Sequence, residues 1–114
     1  MPLMYEVGLL DEAVEFLNSL DLKMRAKAFR TIDLLRNFGI FLKMPHSKKI
    51  EGEANLFELR VQQGSNIVRL FYFHHLGKAY IITSGYVKKD MKLDKKEIEK
   101  ARTIRAKFLR GGSL

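Results

Sequence analysis

The stretch LFELRVQQGSNIVRLFYF, Leu56 to Phe73, decides the fold. On its first arm Phe57, Leu59 and Val61 alternate with Glu58 and Arg60, the period of two that a half-buried strand shows. The turn signal QGSN follows, and IVRLFYF then resumes an apolar, β-branched and aromatic run. Placing Gly64 and Ser65 at the centre of a two-residue hairpin, glycine first as a type II′ turn requires, fixes the partners: Val61 faces Val68 and Arg60 faces Arg69. A third strand, Ala79 to Val87, comes after the turn HHLGK. Centring that turn on Leu76 and Gly77 sets Phe71 opposite Ile82 and Arg69 opposite Ser84.

This register predicts an antiparallel sheet with two unlike faces. One holds Phe57, Leu59, Val61, Val68, Leu70, Tyr72, Ile81 and Val87, and is expected to pack on helices. The other gathers Glu58, Arg60, Arg69, Ser84, Tyr86 and Lys88, with Phe71, Phe73, Tyr80 and Ile82 forming an apolar patch at its far end. Arginines directly opposite each other repel, so Arg60 and Arg69 call for neutralisation by Glu58 or by a bound anion.

The helices lie on either side of this β region. LLDEAVEFLNSL carries Leu10, Ala13, Val14 and Leu17 at helical spacing, with Asp11 and Glu12 in the first turn. DLKMRAKAFRTIDLLRNFG offers Asp21 as a cap, a stripe of Met24, Ala28, Ile32 and Leu35, and Gly39 as a stop, so the two segments read as a helical hairpin. Its outer face, with Lys23, Arg25, Lys27, Arg30 and Arg36, reads as solvated. After the strands, DKKEIEKARTIRAKFL has Asp94 three residues before Glu97 and a stripe of Ile98, Ala101, Arg105 and Phe108 that can cover the sheet patch or bind a partner. The fold class is α+β: an N-terminal helical hairpin packed on an antiparallel sheet, then a C-terminal helix. The 114 residues fit one domain, 1–114.

Composition narrows the function. Hydrophobic residues at 46% and charged residues at 30% are globular values, and two prolines leave little room for disorder. No apolar run approaches a membrane span and no signal-peptide pattern opens the chain, so no membrane partner is expected. The absence of cysteine removes disulfides and thiolate metal sites, and cytoplasm is the expected location. A net charge of +8 and a pI near 9.8 predict attraction to polyanions or to an acidic protein.

Fork-like guanidiniums and compact ammonium groups converging on one face suit phosphate. Arg60, Arg69, Lys88 and Lys89 supply them, and Lys48 and Lys49 add a basic rim. Alternation points Lys89 away from Lys88 unless the strand ends or bulges there. The bland readings are a solvated strand end for the lysines and structural pairing of Arg60 and Arg69 with Glu58 and Glu51. His74 and His75 lack a carboxylate or further histidine at ligand spacing and read as a turn feature. No phosphate-cradling glycine loop, nucleophile elbow or metal cluster is present in the sequence.

The ordered series KKIEG, LFELRVQQGSNIVRLFYF, GYVKKDMK and EIEKA resembles the RelE/ParE superfamily of bacterial type II toxins, in particular its HigB-like, phage-derived branch. The resemblance spans roughly Tyr5 to Leu109. It implies a RelE-like small domain and a ribosome-dependent endoribonuclease acting on messenger RNA without metal or other cofactor. It also implies a cognate antitoxin, often of helix-turn-helix type. Position by position, the family's ELR arginine falls on Arg60, the arginine of its next strand on Arg69, and its paired lysines on Lys88 and Lys89. The family's usual phenylalanine is Tyr86 here, and Asp90 and Asp94 replace a threonine and a proline.

On this reading Arg60 and Arg69 stabilise the scissile phosphate, Lys88 and Lys89 bind phosphate or move protons, and Tyr86 stacks on a base or acts as acid. Lys48, Lys49 and Ser84 contact RNA. Asp90 is expected to ion-pair with the adjacent lysines and so to weaken a general-base role for them. Two other classes remain open: a ParE-like gyrase-inhibiting toxin without nuclease activity, and a non-toxic RNA- or protein-binding module.

Overall fold

The structure, a computed structural model, describes residues 4–90 and 94–111. Chain order is β1 (Glu6–Leu9), α1 (Asp11–Ser19), α2 (Leu22–Phe38), a 3-10 turn (Gly39–Phe41), β2 (Ser47–Lys49), β3 (Phe57–Gln63), β4 (Asn66–His75), β5 (Ala79–Lys88) and α3 (Lys95–Leu109). The strands form one five-stranded sheet in the order β1-β5-β4-β3-β2. The expected α+β arrangement is therefore present. It differs from the sequence reading in two added edges: β1 runs parallel to β5, and β2 pairs antiparallel with β3 through Lys48 opposite Glu58.

Local chemistry sets the helix ends. The Asp21 carboxylate accepts the Met24 N–H at 2.8 Å and caps α2, while Gly39, at φ +53°, closes it against the Tyr5 ring, which occupies the space a Cβ would need. Arg25 is not on a solvated face. Its guanidinium donates to the Leu17, Asn18 and Leu20 carbonyls at 3.1, 2.9 and 3.0 Å, satisfying acceptors that the end of α1 leaves open. Met24, Ala28, Ile32 and Leu35 are buried as their spacing predicted, together with Ala13 and Leu17 of α1, whereas Val14 is exposed.

The β3–β4 hairpin has the expected register, Arg60 opposite Arg69 and Val61 opposite Val68, and Gly64 takes φ +61° as the II′ position needs. The β4–β5 register departs from expectation twice. The connection is three residues, with His75 opposite Ala79 and positive φ at Leu76 and Gly77. A bulge then inserts Thr83 between the Tyr72–Ile82 and Phe71–Ser84 pairs. Its hydroxyl donates to the Phe71 carbonyl at 3.5 Å.

The two one-residue offsets add, so Arg69 faces Tyr86 rather than Ser84. Even-numbered residues beyond the bulge thus share a face with Arg60 and Arg69, as expected. Between turn and bulge the parity is reversed. Tyr80 and Ile82 join the helical-hairpin core with Leu59, Val61, Val68, Leu70 and Tyr72, while Ile81 turns to the other face and packs with Phe73 and Leu10. Val87, assigned to the apolar face, is 46% exposed beyond the reach of the helices.

The helix α3 covers half of the second face. Asp94 caps it by accepting the Lys96 and Glu97 N–H groups at 3.1 and 3.2 Å. Ile98 and Ala101 bury Phe71 and Tyr86, and Ile104 and Phe108 cover Phe73 and Ile81. Arg105 ties the helix to the β2–β3 loop, donating to the Ala54 and Asn55 carbonyls at 2.6 and 2.8 Å, and Arg102 pairs with Glu53 at 3.3 Å. The other half of that face stays open. No helix among the described residues is long and apolar enough to cross a membrane.

Candidate functional site

The open half of the sheet is built around one carboxylate. Glu58, the second residue of the apolar-alternating strand β3, is 6% exposed, and its two oxygens reach different arginines: Oε1 is 3.4 Å from Arg60 Nε and Oε2 is 3.7 Å from Arg69 Nε. The hairpin register creates this bridge. It places two guanidiniums opposite each other and puts Glu58 two residues before Arg60 on the same face. Glu58, rather than Glu51, is thus the partner of both arginines. Each is held through Nε, which leaves the forked Nη ends directed elsewhere: Arg60 Nη1 donates to the Met44 sulfur at 3.0 Å, and Arg69 Nη1 makes a long contact of 3.5 Å to the Val68 carbonyl.

Arg69 is 7% exposed. Burial lowers its pKa, Glu58 opposes that shift, and Arg60 reinforces it. A buried guanidinium beside another cation is held in place chiefly by Glu58.

Above these three side chains lies an open cleft of about 670 Å³, lined by Lys48, Lys49, Glu51, Glu58, Arg60, Arg69, Lys88, Lys89 and Asp90 along with Ile50, Ser65 and Ile67. Six cations stand against three carboxylates in this lining. All four lysines singled out in the sequence are here. Lys89 is included because β5 ends at Lys88, so the next side chain is released from strand alternation. Asp90, at the rim, brings a carboxylate to the same wall.

Two sequence assignments are corrected. Ser84 lies at 1% exposure in the interior, 3.2 Å from the Thr83 hydroxyl, and does not line the cleft. Tyr86 is 9% exposed, stacked on Phe71 with centroids 5.6 Å apart beneath α3, so its ring is not open to a base. The reason is α3, whose Ile98 and Ala101 close the same buried cluster as Phe71 and Tyr86. Burial, then Glu58, raises the Tyr86 pKa against the pull of Arg69, and the phenol stays protonated at neutral pH.

Sequence reasoning missed a second, smaller cleft of about 340 Å³, lined by Lys27, Thr31, Pro45, His46, Arg60, Gln62 and Arg69. Only the packing of α2 beside β3 brings Lys27 there. Among the described residues no group of three or more His, Asp or Glu side chains is placed to hold a metal ion.

A family model described as phage-derived protein Gp49-like (DUF891) matches residues 15–106. The chain belongs to this family. The Gp49-like chain also superposes on a free-state arginine mutant of the E. coli toxin RelE with a TM-score of 0.62 and 13% identity, covering 92% of this chain and 97% of that one. A second match is the archaeal RelE–RelB complex from Pyrococcus horikoshii OT3, with a TM-score of 0.58, 20% identity and coverage of 76% and 98%. These likenesses show that the Gp49-like chain has the RelE fold. No curated protein matches it significantly.

Proposed function

We propose that the protein is the toxin of a type II toxin–antitoxin pair and that it cleaves messenger RNA on the ribosome, in the manner of the HigB-like branch. One observation carries this reading: two buried or half-buried guanidiniums, tied by a single carboxylate, form the floor of an open cleft rimmed by four lysines. Such a cleft is complementary to a phosphodiester. In the reaction the ribose 2′-oxygen attacks the adjacent phosphorus, the P–O5′ bond breaks, and a proton leaves the 2′-hydroxyl while another reaches the 5′-oxygen. Arg60 and Arg69 stabilise the charge that grows on the phosphorane oxygens. Lys88 and Lys89 sit at one wall to bind phosphate and move protons, and Lys48 and Lys49 hold flanking RNA at the other. Tyr86, opposite Arg69 on the neighbouring strand, positions it rather than stacking on a base.

The RelE fold and the RelE–RelB match support a cognate antitoxin as partner. We assign the chain, 1–114, as one toxin domain acting in the cytoplasm. Inducing it in bacteria and mapping transcript 5′ ends tests the reading. New ends within coding sequences, with growth arrest, are expected. Arrest with intact transcripts and a DNA-damage response would instead identify a ParE-like gyrase inhibitor, and normal growth would identify a non-toxic binding module.

A further inference from the structure

We infer that the smaller cleft is a second nucleotide subsite, so that single-stranded RNA lies in two lobes with one phosphate held at Arg60 and Arg69 between them; this rests on the ribonuclease reading of the larger cleft. The two clefts share those two arginines and no other residue. A chain passing from one lobe to the other must therefore cross the guanidinium pair.

The second lobe exists because β2 is short. It pairs with β3 only from Phe57 to Leu59, and after the Arg60 N–H to His46 carbonyl bond of 2.8 Å, β3 is a sheet edge. The flank of α2, with Lys27 and Thr31, forms the opposite wall. This lining combines what one nucleotide requires. Lys27, half-buried, supplies a cation for a neighbouring phosphate. Pro45 and the exposed His46 offer a flat surface for a base; among the described residues the His46 ring makes no hydrogen bond or ring contact. Gln62, whose Nε2 donates to the Gly64 carbonyl at 3.2 Å, presents an amide for a base edge. A volume of about 340 Å³ lies in the range of small-ligand sites and suits one nucleoside. Cations alternating with a stacking surface favour a single nucleic-acid strand over an acidic peptide.

The test measures binding of 2′-fluoro oligoribonucleotides, which lack the attacking hydroxyl, to the purified chain by fluorescence anisotropy. A mononucleotide bearing a 3′-phosphate and a tetranucleotide are compared in wild type, in Arg69→Ala, and in the triple variant Lys27→Ala, His46→Ala, Gln62→Ala. The triple variant is expected to bind the mononucleotide like wild type and the tetranucleotide roughly tenfold more weakly, the loss of about one stacked and phosphate-paired nucleotide. Arg69→Ala is expected to weaken both. If Arg69→Ala weakens both and the triple variant weakens neither, the second subsite is refuted while the phosphate site stands. If Arg69→Ala changes neither, the phosphate site fails and the subsite fails with it. Thermal melting of each variant checks the fold.

Discussion

Replacing Glu58 by glutamine removes the carboxylate that bridges the two arginines, and its consequences run in opposite directions for stability and for binding. At an effective dielectric near 20, unit charges 3.4 to 3.7 Å apart interact by about 4–5 kcal/mol, much of it offset by the cost of taking them out of water. Removing one partner of a buried pair costs about 3–5 kcal/mol. The Arg60 side chain is 27% exposed, so solvent relieves part of the stranded charge and a loss of about 2–3 kcal/mol is expected for Glu58→Gln. In urea this lowers the unfolding midpoint by roughly 0.7–3 M at an m-value of about 1–3 kcal/mol/M. The same change raises the cleft's net charge by one. RNA then binds more tightly at low salt, with a log–log salt slope steeper by about 0.7, while cleavage slows because the guanidiniums lose their common anchor. A paired apolar replacement, Glu58→Leu with Arg69→Met, recovers most of the stability. Wild-type stability in Glu58→Gln, with RNA bound no more tightly, would refute the bridging role.

Two further predictions concern the sheet. Burial raises the Tyr72 pKa to about 12 against a hydrogen bond from Ser47, so the folded state keeps a proton that the unfolded chain loses at about 10. Its share of stability is complete below pH 10 and falls away as pH rises toward 12, by about 2–3 kcal/mol. Tyr72→Phe, which also loses the 2.6 Å contact with Ser47 Oγ, should show a shallower alkaline decline in urea titrations at pH 9 to 11.5; an unchanged decline contradicts the assignment. Gly85 lies where a Cβ would meet Phe16 Cδ2 at 2.5 Å and Leu70 Cδ2 at 2.6 Å. Gly85→Ala should cost about 1–3 kcal/mol by overpacking and lower the Tm by several degrees, whereas an unaltered melt would mean that α1 yields freely.

Much of the site was legible because it depends on one well-signalled turn. Gly64 and Ser65 settle the β3–β4 register, and Glu58, Arg60 and Arg69 follow from it by alternation. The β4–β5 register was harder to read. Leu76 at positive φ gives no sequence signal, and Thr83, a good strand former, does not look like a bulge. Lys88 still fell on the correct face because the two offsets sum to two residues. The strands β1 and β2, at four and three residues, are too short for a period to show. The depths of Ser84 and Tyr86 depend on where α3 docks, and the place of Lys27 depends on how α2 lies beside the edge of β3. Both are tertiary facts that no local pattern carries.

The central claim is cleavage at the guanidinium pair, and primer extension on messenger RNA in purified, programmed ribosomes tests it most directly. Wild-type protein should produce new 5′ ends within the ribosome-covered codons. The folded Arg60→Ala, Arg69→Ala double variant should leave the transcript whole, a rate loss on the order of 100-fold or more. Equal cleavage by the double variant, or an intact transcript with both proteins, would contradict the account.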